Sequence, residues 1–270
     1  MKRLLFCILA LCLALSGCAK PTPTTVPTEP PYALPPSPYT PADFVDDGGY
    51  LSCTAGEAVL GIDVSSHQGL IDWQAVADAG IRFAFVRLGY RGYSNGNLMT
   101  DQYVRINLSG AREAGIPVGA YFFSQAITVE EAKQEAAYAL GILDGFRLDL
   151  PLVYDWEYVN GEARTANVDR PTLTDCTLAF CEAVEAAGYA PMVYFNSGQI
   201  TRLLYGERIE QYPWWLAKYD PAMDFPCRAD MWQYSNTGTV PGINAPVDLN
   251  LMFTEFGLGK AVFGAEELDK

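Results

Sequence analysis

Three stretches of the chain repeat one theme, and no other feature limits the fold as much. They are ADAGIRFAFVRLGY (Ala77–Tyr90), AREAGIPVGAYFFS (Ala111–Ser124) and VEAAGYAPMVYFNS (Val184–Ser197). Each closes an expected helix with Ala-Gly, because glycine tolerates the positive φ that ends a helix. Each then enters a β-branched and aromatic run of strand character. Helix start signals lie upstream. Asp72 precedes WQAVADA, Thr128 with Glu131 forms a capping-box pattern ahead of AKQEAAYALGIL, and Pro171 opens PTLTDCTLAFCEAVEAAG. VLGIDVSS (Val59–Ser66) supplies a strand before the first helix. Helix, glycine, apolar strand, polar loop and helix again is the grammar of βα units around a parallel sheet.

Beyond Tyr205 that grammar weakens. PWWLAKYD, ADMWQYSN and PVDLNLMF read as strands, with no long amphipathic helix between them. Eight strand candidates and about five helices predict an α/β fold: an irregular (β/α) TIM-like barrel, helices missing in its last third, over residues 51–270. In such a barrel the chemistry sits where strands end and βα loops begin.

Polar residues occur at those ends. PLVYDWEYV (Pro151–Val159) enters a core yet carries Asp155 and Glu157, which share one face of a strand. Two carboxylates side by side in a core cost several kcal/mol unless something compensates. Asp63 ends the first strand and Asp248 lies in the last, so closure of the barrel makes them neighbours, with Asp155 and Glu157 facing them across the mouth. Mutual repulsion and partial desolvation should push some of the four pKa values up. Hydrolysis of a glycosidic bond uses that condition: one carboxyl stays protonated as general acid while others remain ionised against an oxocarbenium-like transition state. Ionised Asp155 is expected to raise Glu157 by like-charge repulsion. Taken singly, each acid has a plainer reading: Asp63 as a helix N-cap, Asp155 or Glu157 as partner of Arg87 or Arg164, or the set as an oxygen site for Ca²⁺ or Mg²⁺. Their convergence at one end of the barrel favours a catalytic cluster.

Aromatic residues crowd the same strands. Tyr121, Tyr194 and Trp232 fall near strand ends, where flat rings could stack on sugars, although alternation must send many of these rings into the core. His67 is the one histidine and follows the first strand. A Ser-His-Asp system lacks a G-x-S-x-G elbow, a single histidine cannot build a zinc peptidase, and no glycine-rich phosphate loop follows a strand. His67 is expected to order its loop or line the pocket. The formal net charge of −14 argues against nucleic acid and other polyanions as partners. No C-x-x-C or Cys/His metal spacing occurs; Cys53 and Cys227 could bridge or remain free buried thiols.

The chain opens MKRLLFCILALCLALSGCAK, with two basic residues, an apolar run and small residues. This is the pattern of a secretory signal peptide over residues 1–17, too short for a comfortable membrane span. LSGC (Leu15–Cys18) resembles the lipobox of bacterial lipoproteins, which implies lipidation at Cys18 and an extracytoplasmic, membrane-anchored location. Residues 18–50, rich in Pro and Thr, are expected to be an extended tether.

GIDVSSHQGLIDW, FAFVRLGYRG, GAYFFS, LVYDWEYV, WWLAKY and MWQYSNTGTVPGINAPVDLN together resemble the glycoside hydrolase family 25 lysozymes of the Chalaropsis type, in order from Val59 to Phe253. The resemblance implies an N-acetylmuramidase that cleaves the β-1,4 bond from N-acetylmuramic acid to N-acetylglucosamine in peptidoglycan. It implies Glu157 as general acid, Asp155 as nucleophile or as the group that orients the substrate's acetamido, and catalytic places for Asp63 and Asp248. Tyr121, Phe123, Tyr194, Trp232, Gln233 and His67 are the expected substrate-binding residues. Members often carry Tyr-His-Phe on the third strand, where this chain has Phe122 in place of the histidine. The expected partners are peptidoglycan glycan strands and, through the lipid, a membrane; the chain should act as a monomer with no cofactor or metal. Two alternatives stand beside this reading. One is a wall-binding lipoprotein that has lost turnover. The other is a family 18 chitinase, whose signature wants a further Asp where this chain has Val153.

Overall fold

A computed structural model describes residues 32–159, 163–219 and 227–254. Cys18, the leader and the first part of the expected tether, residues 18–31, lie outside the described residues. Eight strands close into a barrel: β3 (Ala58–Val64), β4 (Phe83–Arg91), β6 (Val118–Ser124), β7 (Leu152–Trp156), β8 (Pro191–Asn196), β9 (Trp214–Ala217), β10 (Met231–Gly238) and β11 (Val247–Phe253). The seven strands from β3 to β10 pair in parallel, each with the next. β11 runs the other way, antiparallel to both β10 and β3, and completes the ring. A short strand, β5 (Leu98–Thr100), extends β4.

Helices cover the first two thirds. They are α1 (Trp73–Asp78), α2 (Val104–Glu113), α3 (Val129–Leu143), α4 (Arg170–Ala186), α5 (Ser197–Arg202) and α6 (Gly206–Ile209). Asp72, Thr128 and Asp169 cap α1, α3 and α4 with side-chain oxygens. The capping box expected at Thr128 is half formed. Thr128 accepts from the Glu131 N–H, but the Glu131 carboxylate takes the Ile127 N–H and the Arg164 guanidinium. Among the described residues no helix stands between β9, β10 and β11.

That bare side is where the N-terminal segment lies. β1 (Phe44–Asp47) and β2 (Tyr50–Cys53) form an antiparallel hairpin. The Phe44 ring meets Trp232 edge-on at 5.0 Å, and Tyr39 stacks on Phe253 at 4.5 Å. The Tyr234 hydroxyl accepts from the Leu51 N–H. The expected tether to residue 50 is therefore too long at its C-terminal end: one compact unit begins at Ala33. Among the described residues no helix covers the outer faces of β10 and β11, and these aromatics pack there.

Alternation divides the core into two layers. Outward residues such as Ala84, Val86, Phe122, Tyr154, Phe195 and Trp232 pack under the helices and the hairpin. Inward residues Val59, Phe83, Phe85, Val153, Met192, Trp215, Met231 and Met252 plug the barrel. Gly61 and Gly119 face inward beside these rings; a Cβ there would collide with Phe83 and Phe85 respectively. Each buried phenylalanine contributes roughly 1.5–3 kcal/mol. The plug is thus a rigid, dry floor for whatever lies above it. Cys53, Cys176, Cys181 and Cys227 are free thiols.

Candidate active site

One step further along each strand the inward residues turn polar: Asp63 after Gly61 on β3, Arg87 after Phe85 on β4, Asp155 after Val153 on β7 and Gln233 after Met231 on β10. β11 is reversed, so Asp248 at its beginning reaches the same end, directly opposite Asp63 in the ladder. Glu157 lies one residue beyond β7 and keeps the parity of Asp155. A cleft at the barrel mouth is lined by all four acids with His67, Tyr121, Phe123, Tyr194, Tyr219 and Gln233, and floored by Trp215. The structure therefore brings together nine of the ten expected barrel-mouth residues.

Trp232 is the exception. It is fully buried, donates its indole N–H to the Lys218 carbonyl at 2.8 Å, and packs against Phe44 and Tyr234. Trp232 and Gln233 are consecutive on one strand, so they cannot both face the cleft. By the same parity Phe122 points outward to Tyr138, between Tyr121 and Phe123, so the departure from the Tyr-His-Phe pattern falls outside the cleft.

A hydrogen-bond chain fixes one side of the mouth. The Trp215 indole N–H donates to Asn250 Oδ1 at 2.9 Å, and Asn250 Nδ2 donates to Asp63 Oδ2 at 2.8 Å. Gln233 Nε2 donates to the same oxygen at 2.8 Å, while the Tyr194 and Tyr219 hydroxyls donate to Gln233 Oε1 at 3.2 and 3.0 Å. Donors on the amide oxygens dictate which way both amides point, so both present N–H to Asp63. Burial pushes the Asp63 carboxyl up, and the bonds from Asn250, Gln233 and Asp248 pull it back. Asp248 is pushed up to about 9 by burial first, then by the Asp63 charge and the bond to Asp63, with Glu157 adding. At neutral pH Asp248 accordingly holds the shared proton and Asp63 the charge.

Among the described residues Asp155 and Glu157 form no salt bridge. Arg87 pairs with Asp101 at 2.9 Å and Arg164 with Glu131 at 2.6 Å, which removes both arginine pairings considered from sequence. Asp155 is 5% exposed and its Oδ1 has no hydrogen-bond partner. Burial holds it well above the carboxylate range, the Glu157 and Asp63 charges push the same way, and Arg87 offsets part. Glu157 is pushed up to about 7 by burial and then by the Asp63 charge. This differs from the expectation that ionised Asp155 does the raising: burial comes first for both acids, and the charge that acts on Glu157 is that of Asp63.

The sequence motif around Asp63 also has a structural part. Ser65 and Gln68 form a reciprocal capping box on the turn Ser66–Gln68, and Gln68 Nε2 straps that turn to the Pro246 carbonyl beside β11. Gly69 follows with φ of 70°, a conformation that favours glycine. Sequence reasoning missed Trp215, Tyr219 and Asn250. The inward parity of β9 and β11 was the signal that would have found Trp215 and Asn250.

A closed (β/α)-type barrel with a buried carboxyl cluster above an apolar plug is an arrangement suited to acid-catalysed cleavage of a glycosidic bond. Comparison with known proteins gives the family. The family described as glycosyl hydrolases family 25 matches residues 62–243, and the chain belongs to it. Over 211 residues, 73% of this chain and 70% of the relative, it is 33% identical to the Escherichia coli K12 protein YegX. It is 28% identical to Lysozyme M1 of Streptomyces globisporus over 203 residues, 71% of this chain and 67% of that one. Among solved structures it superimposes on the modular autolysin LytC of Streptococcus pneumoniae, in complex with a synthetic peptidoglycan ligand. The TM-score is 0.64 at 27% identity, covering 73% of this chain and 47% of LytC.

Proposed function

We propose that the chain hydrolyses the β-1,4 bond from N-acetylmuramic acid to N-acetylglucosamine in peptidoglycan. One observation carries this reading: four carboxyls converge above an apolar plug, and among the described residues two of them, Asp155 and Glu157, form no salt bridge. Glu157 stands at the rim, half-buried and titrating near 7, so it can reach the glycosidic oxygen and hold a transferable proton near neutrality. Asp155 lies beneath it with a buried, unpartnered oxygen. That oxygen suits the N–H of the substrate's acetamido group, which it would hold against the anomeric carbon as positive charge develops. Asp63, ionised and fixed by two amides, supplies the negative field on the opposite side. Tyr121, Tyr194 and Phe123 offer ring edges and faces to the sugars.

Digestion of purified peptidoglycan by the chain, with mass spectrometry of reduced products, tests the bond. N-acetylmuramic acid at the new reducing end is the expected result. N-acetylglucosamine there would replace the reading with a glucosaminidase. Intact glycan that nevertheless co-sediments with the chain would replace it with wall binding alone.

The same reading includes a lipid anchor at Cys18 on the outer side of a bacterial membrane, supported by the LSGC sequence and the basic-apolar leader. Labelled palmitate should enter the wild-type chain and not Cys18→Ser, which should accumulate as precursor or be released. Absence of label in the wild type would remove the anchor.

A further inference from the structure

The catalytic strand β7 ends at Trp156, so no strand neighbour fixes the carbonyl of Glu157. Two buried side-chain amides hold this end. Gln125, at the start of the β6–α3 loop, donates from Nε2 to the Glu157 carbonyl at 2.7 Å, and also to the Ser124 carbonyl at 2.8 Å. Gln199, in α5, donates from Nε2 to the Trp156 carbonyl. Both glutamines are almost fully buried. Each is also held at its far side. The Gln125 carbonyl accepts from Arg164 Nη1 at 2.7 Å, and its N–H reaches Glu135 Oε1 at 3.3 Å. Gln199 Oε1 accepts the Asn196 N–H at 2.7 Å, and Asn196 Oδ1 accepts the Gln199 N–H at 3.0 Å. The Trp156 indole N–H ties the same strand end to the Ala126 carbonyl at 2.9 Å.

We propose that Gln125 and Gln199 are positioning residues that clamp the last two peptide units of β7 from opposite sides and so hold the Glu157 carboxyl at the rim of the cleft. The proposal rests on the reading of Glu157 as proton donor. Neither glutamine touches the cleft. Their effect passes through the backbone, where a displacement of about 1 Å can cost on the order of 10²-fold in rate. The clamp has a second consequence. The position it enforces keeps Glu157 out of water, and burial is the first cause of its raised titration. A loosened Glu157 would swing outward and titrate lower.

Gln125→Met and Gln199→Met, made separately, keep the volume and remove the donor. Each should lower kcat on peptidoglycan by about 10- to 100-fold with KM within about threefold, a misplacement scale. Each should also move the basic limb of the kcat profile to lower pH. Carbon-13 NMR of the Glu157 side-chain carboxyl gives the same answer without turnover, since its midpoint near 7 should fall in both variants. Thermal melts confirm that the variants compared are folded, and either one alone suffices. A folded variant with the wild-type midpoint and kcat overturns the clamp. A wild-type chain that cleaves nothing, yet shows a midpoint that falls in the variants, overturns the proposed function and leaves the clamp standing.

Discussion

Replacing Glu157 by Gln should raise stability while destroying activity, and the size of the gain follows from the titration. Glu157 goes from an ordinary 4.5 to about 7 in the folded chain. The difference, 7 minus 4.5, is about 2.5 units, and at roughly 1.36 kcal/mol per unit this is about 3 kcal/mol. The sign follows from linkage. A carboxyl whose folded pKa is raised prefers to be neutral in the native state, so it costs nothing below pH 4.5. The cost grows between 4.5 and 7 and is constant above that. Glutamine resembles the neutral form at every pH. Glu157→Gln and wild type should therefore unfold alike near pH 4, and the variant should be more stable by about 3 kcal/mol at pH 8. For a domain of this size each kcal/mol moves Tm by roughly 2–4 °C, giving a rise of about 6–12 °C. Turnover should fall by at least ~10², the scale of general acid catalysis, while sedimentation with peptidoglycan survives. Melting curves at pH 4, 6 and 8 together with a turbidity assay make the measurement. Equal Tm values at pH 8 would refute the burial argument, and near-normal turnover would refute the assignment of Glu157 as acid.

Three further perturbations separate the other acids and the N-terminal segment. Asp155→Asn should lose at least ~10² in turnover without losing stability at pH 7, and any residual activity should keep its basic limb near that of wild type, because burial and the Asp63 charge are what raise Glu157; a limb displaced downward would restore Asp155 as the group that raises Glu157. Asp248→Asn should keep most activity at pH 6–7, where Asp248 is already protonated below its midpoint of about 9, whereas Asp63→Asn should not; equal losses from both, in parallel rate assays, would contradict the placement of charge on Asp63. Phe44→Ala should cost about 3–5 kcal/mol, as for other buried phenylalanines, and lower Tm without altering kcat below the melting range; an unchanged Tm would return residues 33–50 to the tether.

The barrel was legible because its first two thirds obey local rules. Gly80, Gly115 and Gly188 all adopt positive φ before a strand, and Asp72, Thr128 and Asp169 cap their helices through bonds that span three residues. Adjacency of Asp63 and Asp248 followed from closure alone. The direction of β11 did not, since a strand reads the same either way along its hydrophobic pattern. Only the reversal puts Asp248, near the start of its strand, at the end where Asp63 finishes. The cause of the Glu157 shift was illegible for a different reason. Sequence spacing shows that Asp155 and Glu157 share a face, but which of the two sits deeper depends on where β7 ends.

The error at the N-terminal segment has a physical origin too. Residues 33–50 contain Pro and Gly at frequencies that suggest a linker, yet they also hold Tyr39, Phe44 and Tyr50. Composition averages these rings away, whereas packing needs only one ring at the right place. The loss of helices after Tyr205 already implied the need: Trp232, Tyr234 and Phe253 point outward from β10 and β11, and without cover they would form an exposed apolar patch of the kind that soluble surfaces avoid. Tyr39 and Phe44 meet Phe253 and Trp232 directly, and Tyr50 donates its hydroxyl to the Thr239 carbonyl at 3.3 Å. A chain cut at residue 51, where composition alone would place the domain boundary, would strip Tyr39 and Phe44 from two strands whose inner faces carry Gln233, Asn250 and Asp248. The segment that reads as a tether is therefore the outer support of the wall that carries Asp248 and the two amides that hold Asp63.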